Sequence, residues 1–164
     1  MIRKKKLYKR PMKLYQKSRI EEENVLAKKY GLKNKKEIWK TAAKISYYRK
    51  RAMGLAKSSR EEQEVFFRKL NDKGLKVNSM ADVLGLQVED ILRRRLPSVV
   101  AQRGLANTVK QARQMVVHKK IIVDNGVVNS PSYIVSVSEE NQIRVKEKNK
   151  SEAVKEIVKT DGVV

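Results

Sequence analysis

The chain has 164 residues, and 39 Lys and Arg against 18 Asp and Glu give it a formal net charge of +21 at pH 7. This length fits one domain or two small ones and excludes a large enzyme or a long repeat array. Such a charge opposes compaction by self-repulsion unless a polyanion neutralises it, and nucleic acid is the polyanion that we expect. The sequence contains no cysteine, which excludes disulfides, thiolate metal sites and a thiol nucleophile.

No apolar run in the sequence approaches the roughly 18 residues that a membrane span needs. The basic N-terminus is not followed by the apolar stretch of a secretory signal. We therefore expect a soluble intracellular protein that does not engage a membrane. Hydrophobic residues make up 40% of the chain and aromatic residues 5%, which predicts a modest, mainly aliphatic core.

The positive charge is concentrated near the N-terminus, since residues 1–60 hold 21 basic and 4 acidic side chains. Residues 1–19 contain no acid and are predicted to form an extended arm that follows RNA phosphates. Within it, Tyr8 and Tyr15 are candidates for stacking on bases. The basic residues assigned to RNA binding here are Arg3, Lys4, Lys5, Lys6, Lys9 and Arg10. The alternatives are a solvated tail or a nuclear-import signal.

Residues 20–89 are predicted to be helical, because apolar residues recur at helical spacing between capping signals. The first predicted helix is 20–30, with Glu21, Glu22 and Glu23 at its N-terminal end. Asn34 and Glu37 open the second, and Ser59 opens the third, which ends at Gly74. A short helix capped by Ser79 and a helix at 88–96 follow. The second helix carries a basic face with Lys40, Lys44, Arg49, Lys50 and Arg51. Pro97 then forces a break, because its ring clashes with a carbonyl one turn earlier.

Beyond Pro97 the pattern predicts two packed helices followed by strands. One helix ends at Gly104, and Thr108 with Gln111 opens another that runs from 109 to about 119. Strands are predicted at 121–123, 127–128, 133–138 and 143–145, with a hairpin turn at Asn125-Gly126. The predicted fold class is α+β, in which a helical N-terminal part precedes a small domain with two packed helices and a short, twisted, mainly antiparallel sheet. Residues 146–164 have mixed charge and are predicted to be a frayed tail.

The sequence offers little for catalysis. His118 is the only histidine, so a catalytic triad or an imidazole metal site would depend on it alone. Next to Lys119 and Lys120, it is placed either to contact a phosphate or base edge or to cap a helix C-terminus. Acidic residues lie at predicted helix starts, and glycines occur singly instead of forming a phosphate loop. We predict no enzyme activity, no cofactor and no metal.

A rigid basic surface is predicted around Pro97 and on the helix that follows Thr108. Its members are Arg93, Arg94, Arg95, Arg103, Lys110 and Arg113. Guanidinium groups bind phosphate oxygens through paired hydrogen bonds. A single surface arginine is more often merely solvated, but clustering on packed helices favours binding. A rigid basic surface with a flexible arm suits the shape of folded RNA better than the bases of duplex DNA.

Several short motifs carry a family resemblance. They are Asp90-Ile-Leu-Arg-Arg-Arg-Leu96, Gln-Arg-Gly-Leu-Ala-Asn-Thr at 102–108, Lys-Gln-Ala-Arg-Gln at 110–114, His118 and Val-Asn-Ser-Pro-Ser-Tyr at 128–133. Residues 90–145 thus resemble the RNA-binding domain named after small-subunit ribosomal protein S-four. The upstream runs Tyr30-Gly-Leu-Lys-Asn-Lys-Lys-Glu-Ile-Trp39 and Asp82-Val-Leu84 look like the archaeal and eukaryotic form of that ribosomal protein family. The resemblance then covers residues 20–145.

The resemblance implies a structural, non-catalytic protein of the cytoplasmic small ribosomal subunit. It would bind ribosomal RNA at a junction of helices early in assembly and lie against neighbouring ribosomal proteins. The RNA contacts implied are Arg94, Arg95, Arg103, Thr108, Lys110, Gln111, Arg113, Gln114, His118, Lys119 and Lys120. Some relatives hold zinc through N-terminal cysteines, so zinc is not expected here.

Two alternatives stay open. One is an assembly factor of the same architecture that binds precursor ribosomal RNA and leaves before translation. The other is an RNA-modifying enzyme that docks through this domain, which would need a large catalytic domain in addition.

The predicted organisation is an arm at 1–19, a helical part at 20–89, the RNA-binding domain at 90–145 and a tail at 146–164.

Overall fold

The computed structural model describes residues 6–146, where helices precede a small sheet. The helices are α1 (Lys17–Lys29), α2 (Lys35–Leu55), α3 (Arg60–Asn71), α4 (Met80–Gly85), α5 (Val88–Arg93), α6 (Leu96–Gln102), α7 (Val109–Val117) and α8 (Val137–Glu140). The strands are β1 (Ile121–Val123), β2 (Gly126–Val127) and β3 (Ile143–Val145). β1 lies in the middle and pairs antiparallel with both neighbours. The predicted α+β fold class is confirmed.

Two clusters of buried apolar side chains stabilise the fold. The first contains Ile45, Tyr48, Ala52, Phe66, Leu70, Leu75, Val77, Val83, Leu86 and Ile91. The second contains Leu96, Val99, Val100, Ala106, Ala112, Val116, Ile121, Val123, Val135 and Ile143. Ile134 lies near the sheet in sequence but packs against the first cluster. The helical part and the segment after it are therefore in direct contact.

Helices α2, α4 and α7 start at predicted capping residues, because a side-chain oxygen there satisfies a backbone N–H that the helix leaves free. Ser59 precedes α3 as predicted, but its side chain makes no capping hydrogen bond. Asn34 accepts from the Lys36 amide at 3.0 Å, and Thr108 accepts from the Gln111 amide at 3.2 Å. Ser79 forms a full capping box with Asp82. The prediction for α1 is wrong at its start. The helix begins at Lys17, so Glu23 lies in its middle, where it is buried against Arg19 and Trp39.

The strand predicted at 133–138 is wrong. Ile134 makes only an isolated bridge with Arg95, and α8 begins directly after Ser136. Ser136 Oγ accepts from the Glu139 amide at 3.3 Å, and the Glu139 carboxylate accepts from the Ser136 amide at 2.9 Å. The alternation of Ser and Val mimics a strand, but this reciprocal capping box favours a helix.

Two predicted boundaries are also shifted. The β1–β2 hairpin pairs Val123 with Gly126, so its two-residue loop is Asp124-Asn125, one position before the predicted turn. α5 ends at Arg93 and not at residue 96, because Leu96 and Pro97 form the first turn of α6. Proline is well suited to that position, where its missing N–H would have no helical partner.

Gly74→Ala is expected to lower the free energy of unfolding by about 1–3 kcal/mol, the range for strained backbone positions. Gly74 has φ +72°, and a Cβ there would lie 2.5 Å from Arg94 Nε. Urea denaturation measures the effect. Gly54→Ala in α2 is the matched control, because nothing lies within 4 Å of its Cβ position and alanine favours a helix. Equal stability of both variants would contradict the proposed strain.

Candidate nucleic-acid interface

α7 presents a polar face to solvent while its other face lies in the core. Ala112 and Val116 are buried, so helical periodicity turns Lys110 and Gln114 outward. Both are exposed. Other predicted RNA contacts that are exposed on or beside α7 are Thr108, Gln111, His118, Lys119 and Lys120.

The turn after α7 holds two lysines in fixed backbone positions. Lys119 has φ +58°, the left-handed conformation that glycine usually supplies at a helix end. The Lys120 amide donates to the Met115 carbonyl at 2.9 Å, and the Lys119 amide donates to the Val116 carbonyl at 3.0 Å. These bonds satisfy the last carbonyls of α7. They also place two cations at the negative end of the helix dipole.

Arg95 and Arg113, both predicted to bind RNA, share a carboxylate from the helical part. Arg95 Nη2 donates to Glu37 Oε2 at 2.5 Å. Arg113 Nη2 donates to Glu37 Oε1 at 2.8 Å, and its Nη1 donates to Oε2 at 3.1 Å. Arg95 is only 6% exposed, and its Nε donates to the Pro131 carbonyl at 3.2 Å. These two guanidinium groups therefore join α2 to the start of α6 and to α7.

Burial raises the pKa of the Glu37 carboxyl, but hydrogen bonds and charge from Arg113 and Arg95 outweigh burial and leave this pKa below its ordinary value. Glu37 is thus ionised at neutral pH. The sequence interpretation missed this role and assigned Glu37 only to helix capping. The sequence does contain one indication of an ion-pairing role, because Glu37 is the only acidic residue between positions 24 and 60.

The remaining arginines of the predicted patch divide by exposure. Arg94 is mostly buried and donates to Glu140 Oε2 at 2.8 Å and to the Val135 carbonyl at 3.1 Å. Arg103 is exposed and donates to Asn141 Oδ1 at 2.7 Å. Arg93 is exposed and lies 3.8 Å from a Glu89 oxygen. Arg93 and Arg103 therefore lie at the surface. Arg94, Arg95 and Arg113 are buried or half-buried and form ion pairs within the protein.

The arm lies partly within the described residues. Arg3, Lys4 and Lys5 lie outside them, whereas Lys6, Lys9 and Arg10 are exposed. Tyr8 packs on Trp39 with ring centroids 6.0 Å apart, and Tyr15 is 90% exposed. Arg19 donates to the carbonyls of Lys13 and Leu14. The segment from Tyr8 to Leu14 is thus held against α1 and α2. Of the two tyrosines predicted to stack on bases, Tyr8 is packed on Trp39 and Tyr15 has an exposed ring.

Between residues 6 and 146, no helix is both long and apolar enough to cross a membrane. Within the same range, no group of three or more His, Cys, Asp or Glu side chains is placed to hold a metal ion. Residues 96–123 contain five basic side chains and no acidic one. Four of the five, Arg103, Lys110, Lys119 and Lys120, are exposed on α7 or in the turns that follow α6 and α7, and these two helices pack together. Fold and charge together define an α+β protein with a rigid basic face suited to a polyanion.

Comparison with known proteins identifies the family. The S4 domain matches residues 94–141. Small ribosomal subunit protein uS4 of Methanothermobacter thermautotrophicus is 44% identical over 145 residues, which cover 85% of each chain. The uS4 proteins of Halobacterium salinarum (43% identical, covering 84% of this chain and 83% of the relative) and Methanosphaera stadtmanae (41%, covering 85% and 80%) are also similar. The chain belongs to the small ribosomal subunit protein uS4 family, and the predicted archaeal-type resemblance is confirmed.

Proposed function

We propose that the protein is a structural component of the small ribosomal subunit that binds ribosomal RNA through one basic face. The RNA-binding face consists of Arg93, Arg103, Thr108, Lys110, Gln111, Gln114, His118, Lys119 and Lys120. The observation that carries this proposal is the run of residues 96–123, which contains no acid and exposes four basic side chains, Arg103, Lys110, Lys119 and Lys120. Family membership supports the ribosomal setting, with neighbouring ribosomal proteins as further partners in the cytoplasm.

Binding is expected to depend mainly on phosphate neutralisation, because each contacted phosphate releases condensed counterions. The exposed guanidinium of Arg103 suits paired hydrogen bonds to one phosphate. Gln111 and Gln114 offer amide groups that can recognise RNA 2′-hydroxyls. Arg94, Arg95 and Arg113 are positioning residues in this proposal, since they orient α6, α7 and the loops that carry the face. The proposed role is non-catalytic.

The exposed arm residues Lys6, Lys9 and Arg10 extend the proposed interface. Arg3, Lys4 and Lys5 are assigned to it on sequence alone. The boundary proposed at residue 90 lies within α5, whose Ile91 packs into the first core cluster. The two proposed domains therefore meet along α5 and are expected to unfold together.

Quantitative mass spectrometry of salt-washed translating ribosomes and of small-subunit precursors tests this function. We expect one copy per mature small subunit, with crosslinks from residues 103–120 to ribosomal RNA. Presence only on precursors would instead support an assembly factor. Absence of crosslinks from this segment, in particles that contain the protein, would contradict the proposed face.

Lys119→Gly is expected to stabilise the fold while weakening RNA binding. Glycine relieves a left-handed backbone that costs other residues about 1–2 kcal/mol, whereas loss of the ammonium removes one phosphate contact. Thermal unfolding and RNA titration by fluorescence anisotropy measure the two effects. Asp124→Gly is the control, because Asp124 has φ +55° but lies in the β1–β2 loop. It should gain stability without losing affinity, and equal affinity losses would contradict the role of Lys119.

A further inference from the structure

A cleft of about 250 Å³ lies between α2 and the loop that follows β2. α2 contributes Lys40 and Lys44, and the opposite wall includes Arg113 and Ser132. Lys40 is exposed and Lys44 is half-buried. The cleft is separate from the outward face of α7 and lies where the helical part meets the S4 domain.

The charges that line this cleft do not balance. Glu37 is its only acidic lining residue, and that carboxylate already pairs with both Arg95 and Arg113, which leaves one positive charge in excess. Among the described residues, neither Lys40 nor Lys44 forms an ion pair or a side-chain hydrogen bond in the structure. The cleft therefore gathers two lysines and one arginine charge for which its lining residues provide no remaining carboxylate.

Lys44 is the most informative member of the cleft. Burial lowers the pKa of its ammonium, and the nearby charge of Lys73 lowers it further. Lys73 is itself a cation, so it is no counter-charge for Lys44. Its ammonium donates to the Tyr48 hydroxyl at 3.5 Å. Partly buried cations are usually paired with an anion. No such anionic partner of Lys44 lies among the described residues.

The size of the cleft restricts what it can accept. Pockets for drug-sized ligands and cofactors occupy about 300–1,000 Å³, so this one suits a single small anionic group. Ser132 Oγ shares a 3.2 Å hydrogen bond with Ser130 Oγ, in which either hydroxyl can donate, and it offers a neutral donor beside the lysines. Two ammonium groups and one hydroxyl provide the donors that a phosphate oxygen accepts.

We propose that this cleft binds one backbone phosphate of RNA, held by Lys40, Lys44 and Ser132. The inference rests on the proposed RNA-binding function and adds to it a second contact point, away from α7. A phosphate here bridges α2 and the S4 domain. RNA binding at this point then fixes the relative orientation of the two parts, because each contributes donors to the same anion.

The experiment compares Lys44→Gln with Lys50→Gln in the full chain, using small-subunit ribosomal RNA transcribed from the same organism. Lys50 lies on the same helix, is exposed, and does not line the cleft. Both variants lose one charge, so a general charge effect is equal in both. We expect Lys44→Gln to bind RNA about tenfold more weakly and to reduce the slope of log K against log salt by about 0.7–0.9, the value for one phosphate. Lys50→Gln should change affinity less than about twofold.

A second measurement follows the ¹³Cε signal of Lys44 in the wild-type chain, first with inorganic phosphate and then with RNA. We expect RNA to shift the signal and to raise the pKa of Lys44, since an anion stabilises the ammonium. Phosphate alone should shift it weakly. If phosphate shifts the signal but Lys44→Gln leaves RNA affinity unchanged, the ligand is free phosphate and the RNA assignment is wrong.

The outcomes separate the two levels of inference. If the wild-type chain does not bind the RNA at all, the proposed function fails. If the wild type binds, and the Lys44 and Lys50 variants bind equally well, only the cleft proposal is overturned. Thermal unfolding of both variants checks their folding, and the wild-type Lys44 signal gives an independent answer even if one variant is unstable.

Discussion

Glu37→Gln is expected to lower the free energy of unfolding by about 3 kcal/mol, near the lower end of the range for removing one partner of a buried ion pair. The variant leaves Arg95, 6% exposed, without a counter-charge, while two guanidinium groups face a neutral amide. Glutamine keeps the shape of the side chain and one carbonyl acceptor, so the loss is mainly electrostatic. Urea denaturation at neutral pH measures it.

The same variant predicts a pH dependence. The pKa of Glu37 is lower in the folded chain than its ordinary value of 4.5, because Arg113 and Arg95 stabilise the carboxylate against the effect of burial. Its contribution to stability is therefore complete above the unfolded pKa and is lost as pH falls through the folded pKa. The stability difference between wild type and Glu37→Gln should shrink over that acidic range.

Glu22→Gln provides the control for Glu37→Gln. Glu22 is exposed on α1, and its replacement should change stability by less than about 0.5 kcal/mol. A result in which both variants are equally stable would mean that the Glu37 carboxylate does not hold α2 to the S4 domain. Arg95 and Arg113 would then be free to act as direct RNA contacts, as the sequence interpretation assigned them.

The features that the sequence predicted well are encoded locally. The cap at Thr108 and the bond that it accepts from Gln111 lie within one helical turn, so a short window contains the full signal. The break before α6 follows from Pro97 alone. The error at 133–138 is also local in origin, because the alternation of Ser and Val predicts a strand, whereas Ser136 and Glu139 form a capping box that starts α8.

The roles of the arginines depend on contacts between distant parts of the chain. Glu37 is 58 residues from Arg95 and 76 from Arg113, and no local pattern shows that these side chains meet. The motif Arg-Arg-Arg at 93–95 presents three identical side chains in sequence. Folding leaves Arg93 at the surface, turns Arg94 toward Glu140 and buries Arg95. Burial therefore separates candidate contacts from positioning residues, and it depends on tertiary packing.

The triple variant Lys110→Gln, Lys119→Gln, Lys120→Gln is expected to weaken RNA binding about 100-fold. Three phosphate contacts at about 1 kcal/mol each give about 3 kcal/mol, which is about two powers of ten in Kd. The slope of log K against log salt should fall by about 2–3. Filter binding over a salt series measures both quantities. All three side chains are exposed, so the free energy of unfolding should remain within about 1 kcal/mol of wild type.

The control for this triple variant removes the same charge from the helical part, with Lys57→Gln, Lys69→Gln and Lys76→Gln. These lysines are also exposed but lie outside residues 96–123. If RNA binding depended only on net charge, both triple variants would lose affinity equally, because each reduces the charge by three. A much larger loss in the α7 variant would instead show that binding requires cations at fixed positions on a rigid helix and its terminal turn. Equal losses would contradict the proposed RNA-binding face.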